Sequence, residues 1–79
     1  MIDTTSKEWD RMMEDIENRF TYHEPTLEKT LKYGHLRYLG KDLAVAICER
    51  CPGGRERALA LTKLEECIMH ANAGIARDK

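Results

Sequence analysis

Serine occurs once in this chain, at Ser6, and so do tryptophan and phenylalanine. No serine or cysteine stands at a nucleophile turn, and His23, His35 and His70 are far apart. A catalytic triad is therefore not expected, and we read the chain as a binder rather than an enzyme. Neither sign of charge dominates, since thirteen Lys and Arg face fourteen Asp and Glu. A coat for DNA or RNA needs a clearly basic face, so no nucleic-acid polymer is expected as a partner. A small anionic ligand remains admissible, because it needs only a few donors, which symmetry can gather from several subunits. No apolar run approaches the ~18 residues of a membrane span. The polar start, Met1 to Glu8, lacks the apolar stretch of a signal peptide. The expectation is a soluble intracellular protein with no membrane partner.

Three cysteines cannot all pair internally, so no disulfide framework is expected. A chain of 79 residues makes one small domain at most, burying only about 60% of its unfolded surface. A lone helical hairpin of this size would be marginal. Self-association is the expected source of the missing core.

The apolar periodicity is helical throughout. Trp9, Met12, Met13, Ile16 and Phe20 share one side of a first helix, from about Ser6 to Arg19, with Ser6 as its start. Phe20 to Pro25 reads as a connector, because the residue before a proline avoids helical geometry. Pro25 is then placed in the first turn of a second helix reaching about Arg50. Leu36, Leu39, Leu43 and Ile47 form the apolar stripe expected there. Cys51-Pro52-Gly53-Gly54 is the strongest break in the chain. A third helix follows from about Arg55 to Arg77, with Leu61, Leu64, Ile68, Ala71 or Asn72, and Ile75 on its apolar side. The fold class expected is all-α: a short amino-terminal helix, then an antiparallel αα-hairpin of two long helices, assembled into a homo-oligomer. Residues 1–19 read as a helical extension and residues 20–79 as the hairpin domain.

Cys48-x2-Cys51 and Cys67-x2-His70 imitate a zinc pattern. In a hairpin, however, Cys67 lies about 20 Å along its helix from the turn that holds the other pair. No metal and no cofactor is expected, and the cysteines read as small fillers. Glu65 and Glu66 point to different helix faces, about 100° apart. A salt bridge to Lys63 or Arg57 explains them better than a general base. Phe20-Thr21-Tyr22-His23 offers two aromatic faces and a ring nitrogen, the means by which nucleobases are stacked and read. On residues alone, stapling the first helix to the hairpin is the simpler account. Lys29, Lys32, His35, Arg37 and Lys41 give the second helix a basic side, either solvated or suited to phosphodiesters. Asn72, the polar amide in an apolar stripe, reads as a seam-setting residue or a ligand contact.

From Phe20 to Arg77 the chain resembles the small helical-hairpin domain shared by phage anti-CBASS and anti-Thoeris sponge proteins. The residues that carry the resemblance are Phe20-Thr21-Tyr22-His23, Lys41-Asp42-Leu43-Ala44, Cys51-Pro52, Arg55-Glu56, the run Leu59 to Glu66, Ala71-Asn72-Ala73 and Ile75-Ala76-Arg77. The resemblance implies a sponge that holds cyclic nucleotide alarm signals of bacterial immunity and releases them unaltered. It implies a homohexamer, a pair of trimers, with cyclic dinucleotides between protomers and, in some members, cyclic trinucleotides in separate sites. Other relatives capture cyclic ADP-ribose isomers. It further implies that a tyrosine before the long helix stacks on a base and that a basic residue fifteen positions later meets phosphate. Tyr22 and Arg37 fit that spacing, with Phe20 and His23 beside the tyrosine. Thr62, Asn72 and Arg77 form a second candidate ligand cluster at the other end of the resemblance. The departures that bear on ligand preference are His70 where relatives usually have tryptophan, Cys67 where they usually have alanine, Gly53-Gly54 in place of the usual proline-serine turn, and no match to the amino-terminal β domain that anti-Thoeris relatives often carry. The expected place of action is the cytoplasm of the infected bacterial host. A small helical DNA-binding regulator is the competing reading, disfavoured by the acidic pair in the middle of the third helix.

Overall fold

The computed structural model describes residues 6–78, and over these it is helical, without a strand. Of the extension expected at 1–19, residues 1–5 lie outside the described residues, as does residue 79 of the hairpin domain. Helix α1 runs Lys7–Phe20, α2 Leu27–Arg50 and α3 Arg55–Arg77.

Each helix starts where its local chemistry puts it. The Ser6 side chain accepts from the Trp9 N–H at 3.1 Å and caps α1. The Thr26 hydroxyl accepts from the Lys29 N–H at 3.1 Å and caps α2. Pro25 therefore does not occupy the first turn of α2, as its ring geometry alone would allow. It precedes the cap, because Thr26 supplies the side-chain acceptor that fixes the start. Helix α3 begins after Gly54, whose φ of 145° and ψ of −166° lie in a region essentially closed to side-chain-bearing residues. Its carbonyl accepts from the Ala58 N–H at 3.1 Å. A Cβ at Gly54 would meet nothing within 4 Å, so the objection to one is conformational rather than steric. Gly54→Ala should accordingly lower stability by about 1–2 kcal/mol. Comparing its thermal midpoint with that of Gly53→Ala, at a position with no positive φ, checks this, and equal midpoints would count against it.

Helices α2 and α3 make the principal tertiary contact. The Lys29 ammonium, in the first turn of α2, donates to the Ala76 carbonyl at 3.2 Å and the Asp78 carbonyl at 2.6 Å. It thereby satisfies carbonyls that the end of a helix leaves without intrahelical partners. Midway along α2, a Cβ on Gly40 would sit 3.0 Å from Ile68 Cγ1 and 3.2 Å from its Cδ1. Hydrogen at that position lets the two helices approach.

The side of α2 turned to α3 is not the one its leucine spacing suggests. Tyr33, Leu36, Gly40, Ala44 and Ile47 are half-buried, whereas Leu39 and Leu43 are 47% and 51% exposed. Small residues win the seam because they permit closer approach than the leucines one step around the helix. On α3 the expected stripe holds: Leu61, Leu64, Ile68, Ala71, Asn72 and Ile75 are all half-buried.

No described residue is fully buried. The reason is geometric. The molecule measures 55 × 36 × 14 Å, and its thin dimension is one layer of helices, each about 10–12 Å across with side chains. A hydrophobic core needs at least two layers. The radius of gyration is 17.7 Å, against roughly 12 Å for a compact domain of this length. Leu27, Leu31, Tyr38, Leu39, Leu43 and Val45 remain exposed around α2. A helix that is apolar on more than one side is ordinarily an interior helix.

Candidate ligand-binding site

Two hollows flank the α2–α3 seam. The larger, about 430 Å³, has Gly40, Ala44, Leu61, Leu64 and Ile68 among its walls and Arg37, Lys41 and Glu65 among its polar lining. The smaller, about 380 Å³, is bordered by Tyr33, Ala73 and Ala76. Arg37 and Asn72 line both, so they form the ridge between the two hollows. Among the described residues, neither Arg37 nor Lys41 has an ion-pair partner. An apolar recess with two cations at hand suits a flat base or sugar carrying a phosphate.

A third hollow, about 760 Å³, lies where the start of α2 meets the end of α3 and includes Lys29, Lys32 and Arg77. Two of its cations are already engaged. Lys29 holds the α3 carbonyls, and Lys32 pairs with Glu28 at 3.2 Å.

The structure thus separates the residues singled out from the sequence into several places. Arg37 and Asn72 come together on the ridge, although they were assigned to different candidate clusters. Arg77 lines neither of their hollows but the third, as Lys29 does. Thr62 is exposed and lines none of these three hollows. Phe20 and Tyr22 are 84% and 81% exposed, and they too are absent from all three. His23 is held by its own protomer: its Nε2 donates to the Asn18 carbonyl at 2.6 Å, capping the last turn of α1. Tyr22 and Arg37 therefore share none of these three hollows.

Elsewhere the acidic pair divides as its helical phase requires. Glu66 pairs with Lys63 at 3.3 Å, while Glu65 borders the larger hollow. Among the described residues, no group of three or more His, Cys, Asp or Glu side chains converges where it could hold a metal ion. No described helix is long and apolar enough to cross a membrane. Sequence reasoning missed Gly40 and Ala44 as walls of the recess. The available signal was a glycine in mid-helix, where it costs stability unless something must come close.

This geometry is an all-helical hairpin with shallow recesses along its seam, lined in part by Arg37 and Lys41. Residues 12–76 match the family described as Acb2/Tad1, hairpin domain, and the chain belongs to that family, the anti-CBASS and anti-Thoeris sponges. The match begins inside α1 and ends one residue before the end of α3. Membership makes the chain, in broad terms, a phage anti-defence sponge for cyclic nucleotides. No curated protein and no solved structure matches it.

Proposed function

We propose that this protein sequesters cyclic dinucleotides, without cleaving them, in the cytoplasm of the infected bacterium. The family match over residues 12–76 carries the reading. Its working form is a homo-oligomer of antiparallel hairpins, a homohexamer by analogy with the family. The Lys29 contacts to Ala76 and Asp78 support the antiparallel arrangement. A single-layer protomer with no fully buried residue supports assembly. Tyr22 supplies a stacking face and Arg37 a phosphate contact, the two meeting in a pocket completed by a neighbouring copy. Thr62, Asn72 and Arg77 remain the second candidate set, and since they line no common hollow in one chain, they would act only with residues of neighbouring copies. Residues 20–79 do the binding, and residues 1–19 are an appended helix.

The energetics are sufficient. Competing with an immune effector calls for about −10 kcal/mol, or tens of nanomolar. Base stacking at ~1–3 kcal/mol each and charge-assisted phosphate bonds at ~1.5–3 kcal/mol can supply this in a pocket preformed by assembly. Isothermal titration against cyclic dinucleotides, cyclic trinucleotides and cyclic ADP-ribose isomers tests the ligand class. Ligand released from the loaded protein by heat should co-elute with the starting ring on chromatography. Any linear product would refute storage without cleavage.

A further inference from the structure

Asn72 Oδ1 is shielded from solvent and has no hydrogen-bond partner. A carbonyl oxygen closed off from water finds a donor or disfavours the state that leaves it alone. A donor for it can come from a protein side chain that borders the same hollows. Three residues with donor side chains border a hollow with Asn72: Tyr33, Arg37 and Lys41. Arg37 alone shares both hollows with Asn72. It also carries five N–H groups, so it can give one to an amide oxygen and keep a parallel pair for an anion.

We propose that Asn72 is a positioning residue for Arg37. When a phosphate binds beside the ridge and turns the guanidinium towards Asn72, one inner N–H donates to Asn72 Oδ1 and the outward pair faces the phosphate oxygens. The inference rests on the phosphate role of Arg37 given above. In the unloaded protein the lone oxygen is a cost, and in the loaded protein it is relieved. The bond therefore favours the loaded state over the empty one, and Asn72 acts on affinity rather than on folding.

The test is titration of a panel of adenine, guanine and uracil cyclic dinucleotides into the parent, Asn72→Leu, Asn72→Gln, Arg37→Ala and the Asn72→Leu/Arg37→Ala double variant. Thermal melting of each variant accompanies it. Leucine removes the oxygen at similar volume, so binding should weaken roughly tenfold while the melting temperature stays equal or rises. Glutamine keeps an amide oxygen and should regain most of that loss. In the double variant, Asn72→Leu should add nothing to the Arg37→Ala loss, because its effect passes through the guanidinium. Three results overturn the inference alone: Asn72→Leu binding like the parent, Asn72→Leu melting lower, or its penalty adding in full to that of Arg37→Ala. A parent that binds no cyclic dinucleotide overturns the proposed ligand and this inference with it.

Discussion

Leu31→Glu should take the assembly apart while leaving the protomer's helices intact. Leu31 is 65% exposed in the protomer, and glutamate is as good a helix former as most residues. In a lone chain the exchange is a surface substitution, within about 0.5 kcal/mol of neutral. In an oligomer that covers the outer side of α2, the same carboxylate is buried without a partner. That costs about 3 kcal/mol or more at each copy of the site. Symmetry repeats the penalty at every copy. Sedimentation velocity on the parent and on Leu31→Glu decides: the parent should run as a multiple of its 9.2 kDa mass, and the variant at lower mass. An unchanged assembly in the variant would mean that this side of α2 faces water.

The second large effect is expected from Tyr22→Ala combined with Arg37→Ala. Loss of one stacking face removes about 1–3 kcal/mol, and loss of a charge-assisted phosphate bond removes about 1.5–3 kcal/mol. Together they amount to roughly two orders of magnitude or more in affinity for a cyclic dinucleotide. Arg37→Lys should recover part of its share, since lysine keeps the charge but loses the parallel pair of donors. Titration with the single and double variants measures this, with sedimentation confirming that the assembly survives. If both alanine variants bind as the parent does, the pocket lies instead with Thr62, Asn72 and Arg77.

Much of the fold was legible because its signals are local. The Cys51-Pro52-Gly53-Gly54 break and the run to Arg77 set α3 at Arg55–Arg77, the bounds read from sequence. The start of α2 was misplaced because Pro25 suits a first helical turn, whereas Thr26 next to it is the cap, its hydroxyl accepting from the Lys29 N–H. The seam was harder. With leucines at 36, 39 and 43 and small residues at Gly40 and Ala44, α2 is apolar on several sides. Its periodicity therefore does not choose a face. Close approach chooses it, through Gly40 against Ile68.

The family was legible in short motifs, and the match over residues 12–76 agrees with them. The meeting of Arg37 and Asn72 was not. It depends on the rotational setting of two helices about their common seam, which no run of neighbouring residues encodes. Phe20 and Tyr22 stand highly exposed in the single chain, which their place in a short motif did not foretell.

A molecule one helix thick cannot complete a core by itself, and assembly of the kind proposed would tie its folding to its abundance. Few copies in a newly infected cell would be few, loosely held hairpins. As synthesis continued, each added copy would stabilise those already made, so capacity to soak up alarm signals would rise faster than protein number. Below a threshold of expression the defence would be barely touched, and above it the signal would drain abruptly. Timing and strength of transcription, rather than affinity alone, would then decide whether the phage outruns the alarm.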